Sequence, residues 1–105
     1  MDVERLKERF LPMSETMFYI LSSLTAERHG YGIMEQVAER TGGRVVLGAG
    51  TVYQSLGKLE KAGLIAVARE VDRRKEYRMT PEGWEVLRSE ARRICELYDV
   101  AKELR

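Results

Sequence analysis

The apolar and polar positions of the chain change period twice, and the changes mark its elements. Val3, Leu6 and Phe10 recur at helical spacing and predict a helix over residues 2–10, which Pro12 cannot continue. Ser14 is a good N-cap, and Glu15 suits the positive end of a helix beginning there. Met17, Ile20, Leu21 and Leu24 then follow the i, i+3, i+4, i+7 rule, so a second helix is expected to end near Glu27 or Arg28. Gly30-Tyr31-Gly32 reads as a turn. A third helix turns Ile33, Met34, Val37 and Ala38 inward and stops at Gly42-Gly43. Arg44-Val45-Val46-Leu47 is β-branched and reads as a brief strand. Gly48-Ala49-Gly50 opens a fourth helix with Val52, Leu56 and Leu59 on one face, closed by Gly63.

Beyond Gly63 the period shortens to two. Ile65, Val67 and Val71 against Ala66, Ala68 and Glu70 form an imperfect strand, and Tyr77 and Met79 alternate with Glu76 and Arg78 in another. The polar run Asp72-Arg73-Arg74-Lys75 joins them, giving a β-hairpin with a basic tip. Thr80-Pro81-Glu82 has the cap, proline and acid of a helix start. From there Trp84, Leu87, Ala91, Ile94, Tyr98 and Ala101 are spaced three and four apart, a heptad seam that Leu97 and Leu104 widen. A helix of some 24 residues is about 36 Å long, more than so small a domain covers alone. Part of the seam therefore needs a partner, with Val3, Leu6 and Phe10 contributing.

Helices followed by a hairpin give a fold that is mainly α with a small β-hairpin, a winged helix-turn-helix with a long C-terminal dimerisation helix. Residues 1–80 form the expected DNA-binding domain, and 81–105 the dimerisation helix of the same compact unit. In such a layout the third core helix enters the major groove and the hairpin lies beside the backbone.

Composition narrows the function. The chain has 105 residues, enough for one core. No apolar run approaches the roughly 20 residues that cross a bilayer, so no membrane is expected. With one cysteine, Cys95, there is no internal disulfide, which points to the cytoplasm. One cysteine and one histidine, His29, are too few for a zinc cage, and no nucleophile–base pair or phosphate loop supports an enzyme. No cofactor is expected. The net charge is only +1, but residues 44–79 hold eight basic and four acidic side chains between two mildly acidic stretches. A basic middle third is a footprint of polyanion binding.

Four pieces together carry a resemblance: His29-Gly30-Tyr31-Gly32-Ile33, Gly50-Thr51-Val52-Tyr53-Gln54-Ser55-Leu56, Leu59-Glu60-Lys61-Ala62-Gly63-Leu64-Ile65 and Tyr77-Arg78-Met79-Thr80-Pro81-Glu82-Gly83. In this order they resemble the PadR family of bacterial transcriptional regulators, over roughly residues 14–90. The single C-terminal helix is similar to that of the family's small subgroup. The resemblance implies a homodimeric DNA-binding repressor, released by a small molecule or a stress signal. Gly48 stands where the family often has serine. Some small members hold flat drugs on an aromatic in the middle of the last helix, whereas Trp84 lies at its start.

The helix opened by Gly50 is then the recognition helix. Its first N–H groups suit a phosphate, and Gly50 leaves room for approach. Thr51 suits phosphate or base, Gln54 can read adenine, and Lys58 lies one turn further along the exposed side. The Tyr53 ring either flanks the core with its hydroxyl toward phosphate or is structural throughout. Arg73, Arg74 and Lys75 suit phosphate contact from the wing. Arg69 and Arg78 extend that stripe if they face the same way. Tyr31 and His29 read as residues of the turn. An effector, if there is one, is expected to be apolar or aromatic and to sit near Trp84 and Tyr98 between protomers. The target is expected to be double-stranded DNA carrying an inverted-repeat operator. The alternative is a winged-helix module that binds protein without specific DNA binding.

Overall fold

The structure is a computed structural model that describes residues 2–105. Helix α1 (Val3–Phe10) is capped by Asp2, whose carboxylate accepts the N–H of Glu4 at 3.0 Å. Helix α2 (Glu15–Ser22) is capped by the Ser14 hydroxyl and ends earlier than its apolar period suggests. A 3-10 turn at Ser23–Thr25 keeps Leu24 in the core, and Ala26 is already extended. Strand β1 (Arg28–His29) leads straight into α3 (Gly30–Arg40). Gly30-Tyr31-Gly32 is thus the first turn of a helix, because the His29 ring caps it and accepts the Gly32 N–H at 3.1 Å.

The brief strand expected at residues 44–47 is absent. That segment is a loop held by Thr41, whose hydroxyl accepts the Val45 N–H and donates to the Val37 carbonyl. Gly42 and Gly43 take positive φ there, and Arg44 pairs with Glu15 of α2. The third strand is instead Arg28–His29, which pairs antiparallel with β3 (Arg74–Met79). β3 also pairs with β2 (Ile65–Val71), giving the order β1-β3-β2. Asp72 and Arg73, at φ 51° and 66°, form the two-residue connection. Two left-handed residues match the twist of the paired strands. A bulge between Val67 and Arg69 shifts the register, and Val71 beyond it lies exposed rather than in phase with Ile65.

Helix α4 (Ala49–Ala62) buries Val52, Leu56, Leu59 and Ala62, and ends at Gly63 with φ 84°. Helix α5 (Pro81–Ala101) is capped by Thr80, whose hydroxyl accepts the Gly83 N–H and donates to the Gly63 carbonyl at 2.7 Å. The core joins Ile20, Leu21 and Leu24 to Ile33, Val37, the α4 face, Leu64, Ile65 and Val86.

α5 is rotated by about one residue from the expected seam: Gly83, Val86, Leu87 and Glu90 are buried, while Trp84 and Ala91 are half-buried. Glu90 is fully buried. It accepts the Met13 N–H at 2.6 Å and two bonds from Arg93 at 2.6 and 2.9 Å. The Arg93 bonds hold its carboxyl below the usual range, against burial, which pushes it up; the Met13 N–H adds to the lowering. Leu6, Phe10 and Leu87, expected between protomers, are buried within the protomer's own core because α1 packs on its own α5. Val3 is half-buried.

Candidate nucleic-acid interface

The loop from Thr41 to Gly48 delivers the start of α4 to the surface. Gly48 is the N-cap and supplies no side-chain acceptor, so the first N–H groups of α4 face outward without an intramolecular cap. Gly50, Thr51, Gln54 and Lys58 are all exposed on this helix. Thr51, Gln54 and Lys58 are three and four apart and share one face. The Lys58 ammonium leans back toward α1, 5.8 Å from the centre of the Phe10 ring. Gly57 lies in the helix interior with nothing within 4 Å of where a Cβ would sit. A glycine there costs helix stability without a packing reason inside the protomer. It is the one feature of this face that the apolar pattern passed over, and its signal was a mid-helix glycine.

Tyr53 lies at the flank of the core, where α3 and α4 meet. Its ring covers the backbone of Gly30, where a Cβ would stand 2.5 Å from Cζ and 2.6 Å from the hydroxyl oxygen. Half the residue remains exposed. α3 and α4 therefore meet here through a tyrosine laid on a glycine, and any larger residue at 30 would have to push that half-exposed ring aside. Tyr77 lies buried nearby. Burial pushes its phenol up, with the negative charge of Glu60 adding to it.

The wing closes the arrangement. Arg73 is in the turn, while Arg74 and Lys75, expected in it as well, are the first residues of β3. Together with His29, Tyr31 and Tyr53 they line a concavity of about 300 Å³ between the hairpin, the start of α3 and α4. The Arg74 guanidinium lies 5.9 Å from the centre of the Tyr31 ring. His29 and Tyr31, read from sequence as turn residues, are thus brought into the same site as the wing. Arg69 is not part of it: its guanidinium is held by Glu27 at 2.7 Å and Glu76 at 2.9 Å. The structure does not bring Trp84 and Tyr98 together. They are 14 positions apart on one helix, about 21 Å along its axis. Trp84 packs against the core with Arg88 over its ring, and Lys102 covers the ring of Tyr98.

No helix is long and apolar enough to cross a membrane among the described residues. Comparison with known proteins adds identity to this geometry. The family model described as the transcriptional regulator PadR-like family matches residues 17–89. A PadR family transcriptional regulator from Eggerthella lenta superposes with a TM-score of 0.70 at 28% identity, covering 97% of this chain and 87% of that one. A PadR family regulator from Clostridium difficile gives 0.74 at 27% identity, over 87% of this chain and 98% of that one. An uncharacterized 37.1 kDa protein in transposon TN4556 of Streptomyces fradiae is 35% identical over 69 residues, which are 66% of this chain. The match spans only 19% of that relative's length. With the family model spanning well over half its length and the winged-helix fold shared with solved members, the chain belongs to the PadR-like family of transcriptional regulators.

Proposed function

We propose that the protein is a homodimeric, sequence-specific repressor that binds double-stranded DNA through α4 and the wing. The observation that carries this is the joining, in one concavity, of the α4 residue Tyr53 with Arg73, Arg74 and Lys75. A recognition helix in the major groove needs cations on the adjacent backbone, and this hairpin places three within reach of the same helix. Gln54 is the base reader, with Thr51 and the uncapped start of α4 at phosphate.

Dimerisation rests on Leu97, Tyr98 and Val100, exposed at the end of α5, and on Leu104 in the 3-10 turn after it. A two-fold pair presents two α4 helices, so the operator is an inverted repeat with half-sites about one helical turn, or a multiple, apart. Occupation of such a site blocks other proteins and requires no further surface, which is why repression is the mode proposed.

The test is selection of duplexes from a random pool by the wild-type protein, followed by titrations at several salt concentrations. Gln54→Ala is expected to cost about 1–3 kcal/mol on the selected duplex and little on a scrambled one. Replacing Arg73, Arg74 and Lys75 together by alanine is expected to weaken both and to flatten the salt dependence, by roughly one log–log unit for each phosphate no longer neutralised. A pool that yields no preferred sequence replaces this reading with that of a protein-binding winged-helix module.

A further inference from the structure

His29 has an occupation that its place in the fold only half explains. It caps α3 by accepting the Gly32 N–H at Nδ1. Caps are normally Ser, Thr, Asp or Asn, whose short oxygen does this alone. An imidazole brings a second nitrogen. A ring that accepts at Nδ1 carries its proton on Nε2, which is then a neutral donor. Pairing of His29 with Glu76 in the β1–β3 ladder fixes the backbone that aims the ring.

That ring lines the concavity in front of the wing. The other polar groups lining it are the cations of Arg73, Arg74 and Lys75 and tyrosine hydroxyls, and no carboxylate is among them. The hairpin's own acids, Asp72 and Glu76, line the adjoining surface, which His29 and Arg74 also border. Glu76 is already engaged by Arg69. The Arg74 guanidinium is steadied against the Tyr31 ring. A recess furnished with cations and hydroxyl or imidazole donors, with no carboxylate in its own lining, suits a tetrahedral oxyanion.

We propose that this recess is a seat for one phosphate group, in which His29 Nε2–H is a neutral, tautomer-locked donor and Arg74 and Lys75 supply the charge. It rests on the DNA-binding reading, because Tyr53 ties the recess to α4, and a duplex seated on α4 runs its backbone past the wing. The phosphate is a diester of the duplex. A free phosphate group shares the chemistry, and the experiment separates the two.

His29→Asn keeps a strong N-cap for α3 and removes Nε2–H. Its melting temperature is expected to match the wild type. Its affinity for the selected and scrambled duplexes is expected to fall equally, by about tenfold. Its salt slope is expected to stay unchanged, since a neutral donor displaces no counterion. Arg74→Ala, by contrast, is expected to flatten the slope by about one unit. Nitrogen-15 spectra of the wild-type imidazole, with selected duplex and separately with pyrophosphate, report the ring directly. Both ligands are expected to move the Nε2 resonance while Nδ1 remains an acceptor. Wild-type affinity in His29→Asn, or a flattened slope, overturns the neutral-donor assignment while leaving the DNA-binding reading standing. A response to pyrophosphate in a protein that selects no duplex overturns the diester and assigns the seat to a free phosphate group. No response to either ligand overturns the seat altogether.

Discussion

The two halves of α5 follow one helical period and meet opposite surroundings. In the first half Gly83, Val86, Leu87 and Glu90 are buried by the protomer itself. In the second, Leu97, Tyr98 and Val100 are 55, 55 and 62% exposed, and Leu104, in the 3-10 turn that follows, is 83% exposed. An amphipathic stripe therefore announces that a face will be covered without saying by what. The first half is covered because β3, α1 and α2 reach it. The second extends past them. Substitutions in the first half should act on folding, and those in the second on association.

The largest effect is expected at Gly83. A Cβ there would lie 2.0 Å from the Leu64 carbonyl oxygen and 2.8 Å from Met79 Cγ. The carbonyl cannot step aside, because it accepts the Thr80 N–H at 3.1 Å and so joins the start of α5 to the residue that leads into β2. Gly83→Ala is expected to cost about 3 kcal/mol or more, read as a lower urea midpoint. Leu97→Ala in the second half should stay within about 0.5 kcal/mol for the protomer. A tolerated Gly83→Ala would erase the distinction between the halves.

Glu90 comes next, and its test is pH. Its folded carboxyl is held low, chiefly by the bonds from Arg93. The unfolded carboxyl titrates near 4.3. Because the folded value is the lower, the stabilisation is complete above the unfolded value and is lost as pH falls through the folded one. Glu90→Gln is expected to cost about 2 kcal/mol at neutral pH, through weaker bonds to a buried group. The gap to wild type should stay constant above about pH 5 and close in acid. A gap independent of pH down to 3 would mean that the carboxylate charge contributes nothing.

How much of this was legible follows from whether the cause was local. The caps at Ser14 and Thr80, the stop at Gly63 and the α4 face depend on neighbours within one turn, and the sequence shows them. Strand β1 has only two residues and exists because β3 offers them an edge, so nothing at Arg28-His29 announces it. The opposite error at residues 44–47 has the same root: β-branched residues found no strand to pair with, and Thr41 made a loop of them. Glu90 was missed because a charged helical residue reads as outward. Its place between Val86 and Ile94, four residues from each, was the available hint. In the site, the exposed row on α4 and the basic wing were readable. The recess was not, since it depends on Tyr53 meeting Gly30 across 23 positions of sequence.

The smallest effect on the protomer, and the sharpest on the comparison, is expected at Tyr98. The residue is more than half exposed, with Lys102 above its ring 5.7 Å away. Tyr98→Lys removes an aromatic surface and adds a charge beside an existing one, while touching no core residue. At concentrations where the wild type is monomeric, its urea midpoint should therefore match the wild type closely. At higher concentrations the two should diverge. A protomer whose folded form is drawn into a dimer gains stability by mass action, so the wild-type melting temperature should rise with concentration and that of Tyr98→Lys should not. Sedimentation over the same range should show the wild type passing from monomer to dimer and the variant remaining monomeric. The loss should reach function as well, because two half-sites bound by linked protomers gain from effective concentration, and separated protomers do not. Tyr98→Lys should thus bind a single half-site as the wild type does and lose its advantage on the inverted repeat. A wild-type melting temperature that does not vary with concentration, together with a monomer in the centrifuge, would leave the second half of α5 as exposed surface with no part in assembly.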